Sequence, residues 1–96
     1  MGQMKSVLQK EKECMLCQTT LGLHEHHVFD GWGNRAQSEK YGMKVWLCGK
    51  HHNLSNDGIH FNKSFDLAVK QMAQRYFEEN IGDRDEFIRV FGRSWL

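Results

Sequence analysis

Apolar residues recur at intervals of three and four from residue 61 onward: Phe61, Phe65, Ala68, Val69, Met72, Ala73, Tyr76 and Phe77. That spacing lays one stripe along a helix. Asn62 or Ser64 suits its N-cap, and Asn80, Ile81 and Gly82 suit its end. Asp83 and Glu86 have the capping-box spacing and predict a second, shorter helix carrying Phe87, Ile88 and Phe91, closed by Gly92. The aromatic stripe reads as core. Upstream, residues 23–29 and 44–47 are short runs that read as strands, with the turn-forming residues 30–34 between them. The chain has no proline, so glycine and asparagine shape its turns. Residues 1–13 are polar and of mixed charge, which predicts a flexible lead-in or one short helix. The pattern as a whole predicts a single α+β domain over residues 14–96, without internal repeats.

Composition sharpens this picture. Ninety-six residues allow one domain, whose core alone would be marginal. Three cysteines and six histidines point to a metal as the missing support. The 40% hydrophobic and 26% charged content is that of a globular chain rather than a disordered one. No apolar run approaches the roughly 18 residues of a membrane span, and the start lacks the apolar stretch of a secretory signal. An odd cysteine count fits thiolate ligands in a reducing compartment better than a disulfide framework. The net charge of +1 argues against a strongly basic nucleic-acid coat, but not against a local patch. Arg35, Lys40, Lys44 and Lys50 against Glu39 form such a patch, and these four cations are the candidate nucleic-acid contacts. Trp32 suits either stacking on a base or packing at the hairpin tip.

Cys14-x-x-Cys17 is one half of a zinc knuckle, since a two-residue gap curls the backbone around one ion. Cys48-x-x-His51 repeats the gap and completes a Cys3His set, with His52 as the alternative to His51. Beyond His24, the spare histidines are His26, His27, His52 and His60, too many around one knuckle for packing alone. Strand alternation puts His24 and His26 on one face and Glu25 and His27 on the other. His26 and His27 therefore serve one site only if the strand twists or ends there, and Asp30-Gly31 supplies a break.

The order Cys14-x-x-Cys17, His26-His27-Val28 and Trp46-Leu47-Cys48-x-x-His51-His52-Asn53 resembles the HNH endonucleases of the ββα-metal class, over residues 14–62. The helical extension over residues 63–96, ending Phe91-Gly-Arg-Ser-Trp-Leu96, is similar to small phage and prophage nucleases. The resemblance implies a zinc-stabilised ββα-metal domain with two C-terminal helices. It also implies one catalytic divalent cation (Mg²⁺, Mn²⁺, Ni²⁺ or Zn²⁺) beside the structural Zn²⁺. His27 matches the general base that takes a proton from the attacking water. His26 and His52 match the metal ligands. His60 has no fixed equivalent and is added as a third ligand, because Asp57-Gly58 can turn the chain back toward the site. DNA is the implied partner, with a recruiting protein or a homodimer supplying affinity, and the bacterial cytoplasm the implied location. The family's middle asparagine is replaced by Met43, leaving Asn34, Ser38 and Glu39 as candidates for its role. A pure binding module on the same scaffold, without catalysis, is the second reading. It needs the zinc ligands but not His26, His27 and His60. A second structural zinc held by the spare histidines is a third.

Overall fold

A computed structural model describes residues 5–31, 33–54 and 58–96. Strand β1 (Leu23–His27) pairs antiparallel with β2 (Lys44–Cys48) in a two-stranded sheet. The register sets Leu23 opposite Cys48, Glu25 opposite Trp46 and His27 opposite Lys44, so these six share one face. His24, His26, Val45 and Leu47 share the other.

The connection between the strands contains helix α1 (Asn34–Tyr41), where the sequence suggested only a cluster of turns. Apart from Ala36 and Tyr41 its residues are polar, and only Ser38 is buried, so no apolar stripe announces it. Left-handed glycines bracket it: Gly33 at φ 83° and Gly42 at φ 71°. Gly42 also has no room for a side chain, since a Cβ would stand 2.6 Å from the Lys5 carbonyl oxygen.

Residues 5–13 form no helix and are not free of the domain. They run along the edge of β2 that β1 leaves open, which would otherwise present unpaired backbone groups. Val7 N donates to Gly42 O at 3.0 Å, and Met15 N donates to Trp46 O at 3.0 Å. Ser6 Oγ donates to Lys44 O at 2.5 Å, while Trp46 N donates to Gln9 Oε1 at 2.7 Å. Without an apolar stripe this segment gains nothing as a helix, whereas the strand edge satisfies its polar groups.

After β2 the chain makes a π-helical turn (Lys50–Leu54) and a 3-10 turn (Ile59–Phe61), then enters α2 (Lys63–Asn80) and α3 (Arg84–Phe91). Asn62 Oδ1 caps α2 by accepting from Phe65 N at 3.1 Å. Asp83 Oδ1 caps α3 by accepting from Glu86 N at 2.9 Å, and Gly92 at φ 93° closes it. Both caps and both closing segments follow the sequence pattern. Ala68 and Ile88 depart from it: they face solvent, while the polar Gln74 is buried. Hydrogen bonds hold Gln74 there, since it accepts from Trp95 N at 2.8 Å and donates to Ser94 Oγ at 2.9 Å. It thereby ties the C-terminal tail to α2.

The core gathers around Phe29, just beyond β1. Its ring lies 4.5 Å from Phe91 and 5.3 Å from Phe87, and Phe77 lies 5.3 Å from Phe87. Each such aromatic pair contributes about 0.5–1.5 kcal/mol beyond its buried area. This cluster anchors the end of β1, and with it the histidines that stand there.

Candidate functional site

Cys14, Cys17, Cys48 and His51 converge, their ligand atoms all within 4.8 Å of one another. Cys17 Sγ and Cys48 Sγ are 3.7 Å apart, and His51 Nδ1 lies 3.5 Å from Cys14 Sγ and 3.3 Å from Cys48 Sγ. A tetrahedral zinc with bonds of about 2.3 Å to sulfur and about 2.0 Å to nitrogen separates its ligands by roughly 3.5–3.8 Å. The set fits a structural zinc, and His51 rather than His52 completes it. Burial pushes the Cys14 thiol up, but the amides of Cys48, Cys17 and Leu16, with His51, outweigh it and bring the thiol down to about 6. Cys14 is therefore poised as the thiolate a metal requires.

A second cluster stands on the sheet face of His24 and His26. His26, His52 and His60 bring their ring nitrogens within 4.8 Å of one another. β1 supplies His26, the π-helical turn His52 and the 3-10 turn His60. His52 Nε2 is 3.0 Å from His60 Nε2, and His52 Nδ1 is 2.9 Å from His24 Nδ1. His26 is 4% exposed, and its Nε2 has no hydrogen-bond partner among the described residues. An unsatisfied buried nitrogen costs about 1–3 kcal/mol, and a cation at the point where the three imidazoles meet removes that cost. Burial first, and then His52 and His60, hold His26 down at about 3. Burial, followed by His60 and His24, holds His52 at about 4. Both rings are thus neutral at physiological pH, the form that ligates a metal. Three imidazoles and no carboxylate suit zinc, nickel, copper or iron better than magnesium.

β1 ends at His27, so both His26 and His27 reach one shallow cavity of about 210 Å³. His52, His60, Glu25, Asp30 and Arg35 complete its lining. His27 Nε2 is 3.1 Å from Glu39 Oε1. A larger cavity of about 730 Å³ lies between residues 5–12 and Glu25, Lys44 and Trp46, and holds none of the clustered histidines.

Of the four cations in the basic stretch, Arg35 lines the histidine cavity and Lys40 and Lys50 are exposed. Lys44 is a correction. It is 2% exposed, its ammonium 2.5 Å from Glu39 Oε2 and 3.3 Å from Glu25 Oε2, so it cannot reach a phosphate. Strand alternation sets it on the face of Glu25 and His27, away from Val45 and Leu47, and there its charge is matched by two carboxylates. Trp32, read as stacking on a base or packing at the hairpin tip, and Asp57, read as turning the chain, lie outside the described residues.

Sequence reasoning gave no role to His24 beyond sharing the face of His26, and that shared face was the signal for it. Comparison with family models, curated proteins and solved structures finds no match.

Proposed function

We propose that this chain is a metal-dependent endonuclease of the HNH type that hydrolyses phosphodiester bonds in DNA. In this reading a zinc-pinned ββα-metal domain works in a phage- or prophage-carrying bacterial cell. One observation carries the proposal: three histidines converge, one with an orphaned buried nitrogen, beside a fourth histidine on the same cavity. His26, His52 and His60 would hold the divalent cation. Such an ion supplies electrostatic stabilisation of charge developing on phosphate and leaving oxygens. His27 accepts the proton of the attacking water, a role suited to a neutral imidazole. Arg35 at the cavity, with exposed Lys40 and Lys50, supports contacts to backbone phosphates that carry little sequence information. Three cations are few, so affinity would come from a recruiting protein or a second copy.

Supercoiled plasmid incubated with the purified protein and Mg²⁺, Mn²⁺, Ni²⁺ or Zn²⁺ tests this. Nicking that needs an added ion and stops with chelator is expected. The buried Met43 at the place of the family's asparagine favours a second reading, a non-catalytic zinc-stabilised binding module. Binding of DNA or a protein without cleavage under any ion would establish that alternative.

A further inference from the structure

With Met43 where the resemblance leads one to expect a polar residue, the orientation of His27 must come from elsewhere. We propose that Glu39, held by Lys44, is the positioning residue of His27, a role that rests on reading His27 as the general base. The two oxygens of Glu39 have separate duties. Oε1 accepts from His27 Nε2 at 3.1 Å, and Oε2 accepts from Lys44 Nζ at 2.5 Å. An ionised carboxylate can only accept, so the single proton of neutral His27 sits on Nε2 and the lone pair stays on Nδ1. Glu39 is ionised because the Lys44 ammonium beside it lowers its carboxyl against an opposing effect of burial, with His27 adding to the lowering.

Glu25, His27 and Glu39 cluster closely enough to hold a cation themselves. The cation there is Lys44, which also lies 3.3 Å from Glu25 Oε2 and fixes both carboxylates from within the fold. This group is therefore an ion-pair network rather than another metal site. The neighbouring Ser38, fully buried, accepts from Phe29 N at 3.1 Å and donates to Phe29 O at 2.6 Å. Two adjacent residues of α1 thus act together on the end of β1. Ser38 pins the chain just beyond the strand, and Glu39 pins the imidazole at its last residue.

Imidazole ¹⁵N NMR on the zinc-loaded protein tests this. The expected wild-type signature is His27 protonated at Nε2. Glu39→Ala should give a mixture of tautomers, and Glu39→Gln, whose single amide oxygen goes to Lys44 so that its NH2 faces His27 Nε2, should turn His27 toward the Nδ1–H form. With plasmid substrate and saturating metal, Glu39→Ala should lose roughly 10- to 100-fold in kcat, the usual scale for an outer partner. KM for DNA and metal affinity should stay unchanged, and Glu39→Gln should not recover the rate. A wild-type His27 protonated at Nδ1, or a tautomer indifferent to Glu39→Ala, overturns the proposal. Should Glu39→Ala fail to fold, the wild-type tautomer decides alone. A wild-type protein that cleaves nothing removes the nuclease reading, while the tautomer comparison still decides whether Glu39 sets the proton of His27.

Discussion

His52 Nε2 stands 3.0 Å from His60 Nε2, a separation at which two imidazoles share either one proton or one cation. Cis ligands of an ion with bonds of about 2.1 Å to nitrogen stand roughly 3.0 Å apart. The orphaned Nε2 of His26 beside this pair favours the cation. His26→Ala and His52→Ala should therefore weaken binding of Mn²⁺ or Ni²⁺ to zinc-loaded protein, and excess metal should partly restore activity. Calorimetric titration of each variant measures this, and wild-type affinity in both would remove the cluster from metal binding.

His24 is the outer partner of His52. For His52 Nε2 to face a metal, its proton must sit on Nδ1 and be donated to His24 Nδ1, 2.9 Å away. His24→Ala should cost roughly 10- to 100-fold in affinity for the divalent ion. The knuckle zinc should remain bound, as metal analysis after gel filtration would show.

The knuckle should decide folding. Structural zinc in small domains binds with roughly 10–16 kcal/mol, comparable to a typical domain's whole stability of about 5–15 kcal/mol. Cys17→Ser should leave the protein largely unfolded by circular dichroism. Zinc-free protein with an unchanged helical signal would show that the core suffices.

Stability should also fall in acid. His26 titrates near 3 when folded against an ordinary value of 6.5, so between these pH values the unfolded chain binds the extra proton. Its stabilising share is complete above about pH 6.5 and drains away as pH falls toward 3. From pH 7.5 to 5.5 the loss is about 1 kcal/mol. Denaturant unfolding of the zinc-loaded protein should show this loss, and His26→Leu should reduce it while leaving the share of His52, held at about 4.

Much of the fold was legible in the sequence where a periodic or capping signal existed. The stripe from Phe65 to Phe77, the caps Asn62 and Asp83 and the stop at Gly92 all carry local physics. The zinc quartet was legible because ligand spacing along the chain reflects ligand geometry in space. Helix α1 was hidden because tertiary contact and two left-handed glycines specify it, not an apolar face. Lys44 was misread for a related reason. Its partner Glu25 lies across the sheet and Glu39 on α1, so only the strand register shows that its charge is matched. The choice between His51 and His52 likewise needed the turn geometry that sends the two rings to different clusters.

The most direct measurement is the cleavage rate of His27→Ala beside wild type at saturating metal, with bound metal counted in both. The account predicts a loss of roughly 10²–10⁴-fold, typical of a removed general base. The knuckle zinc and the second ion should both stay in place. Cleavage at the wild-type rate would contradict it, and so would loss of the second ion, which would make His27 a ligand instead of the base.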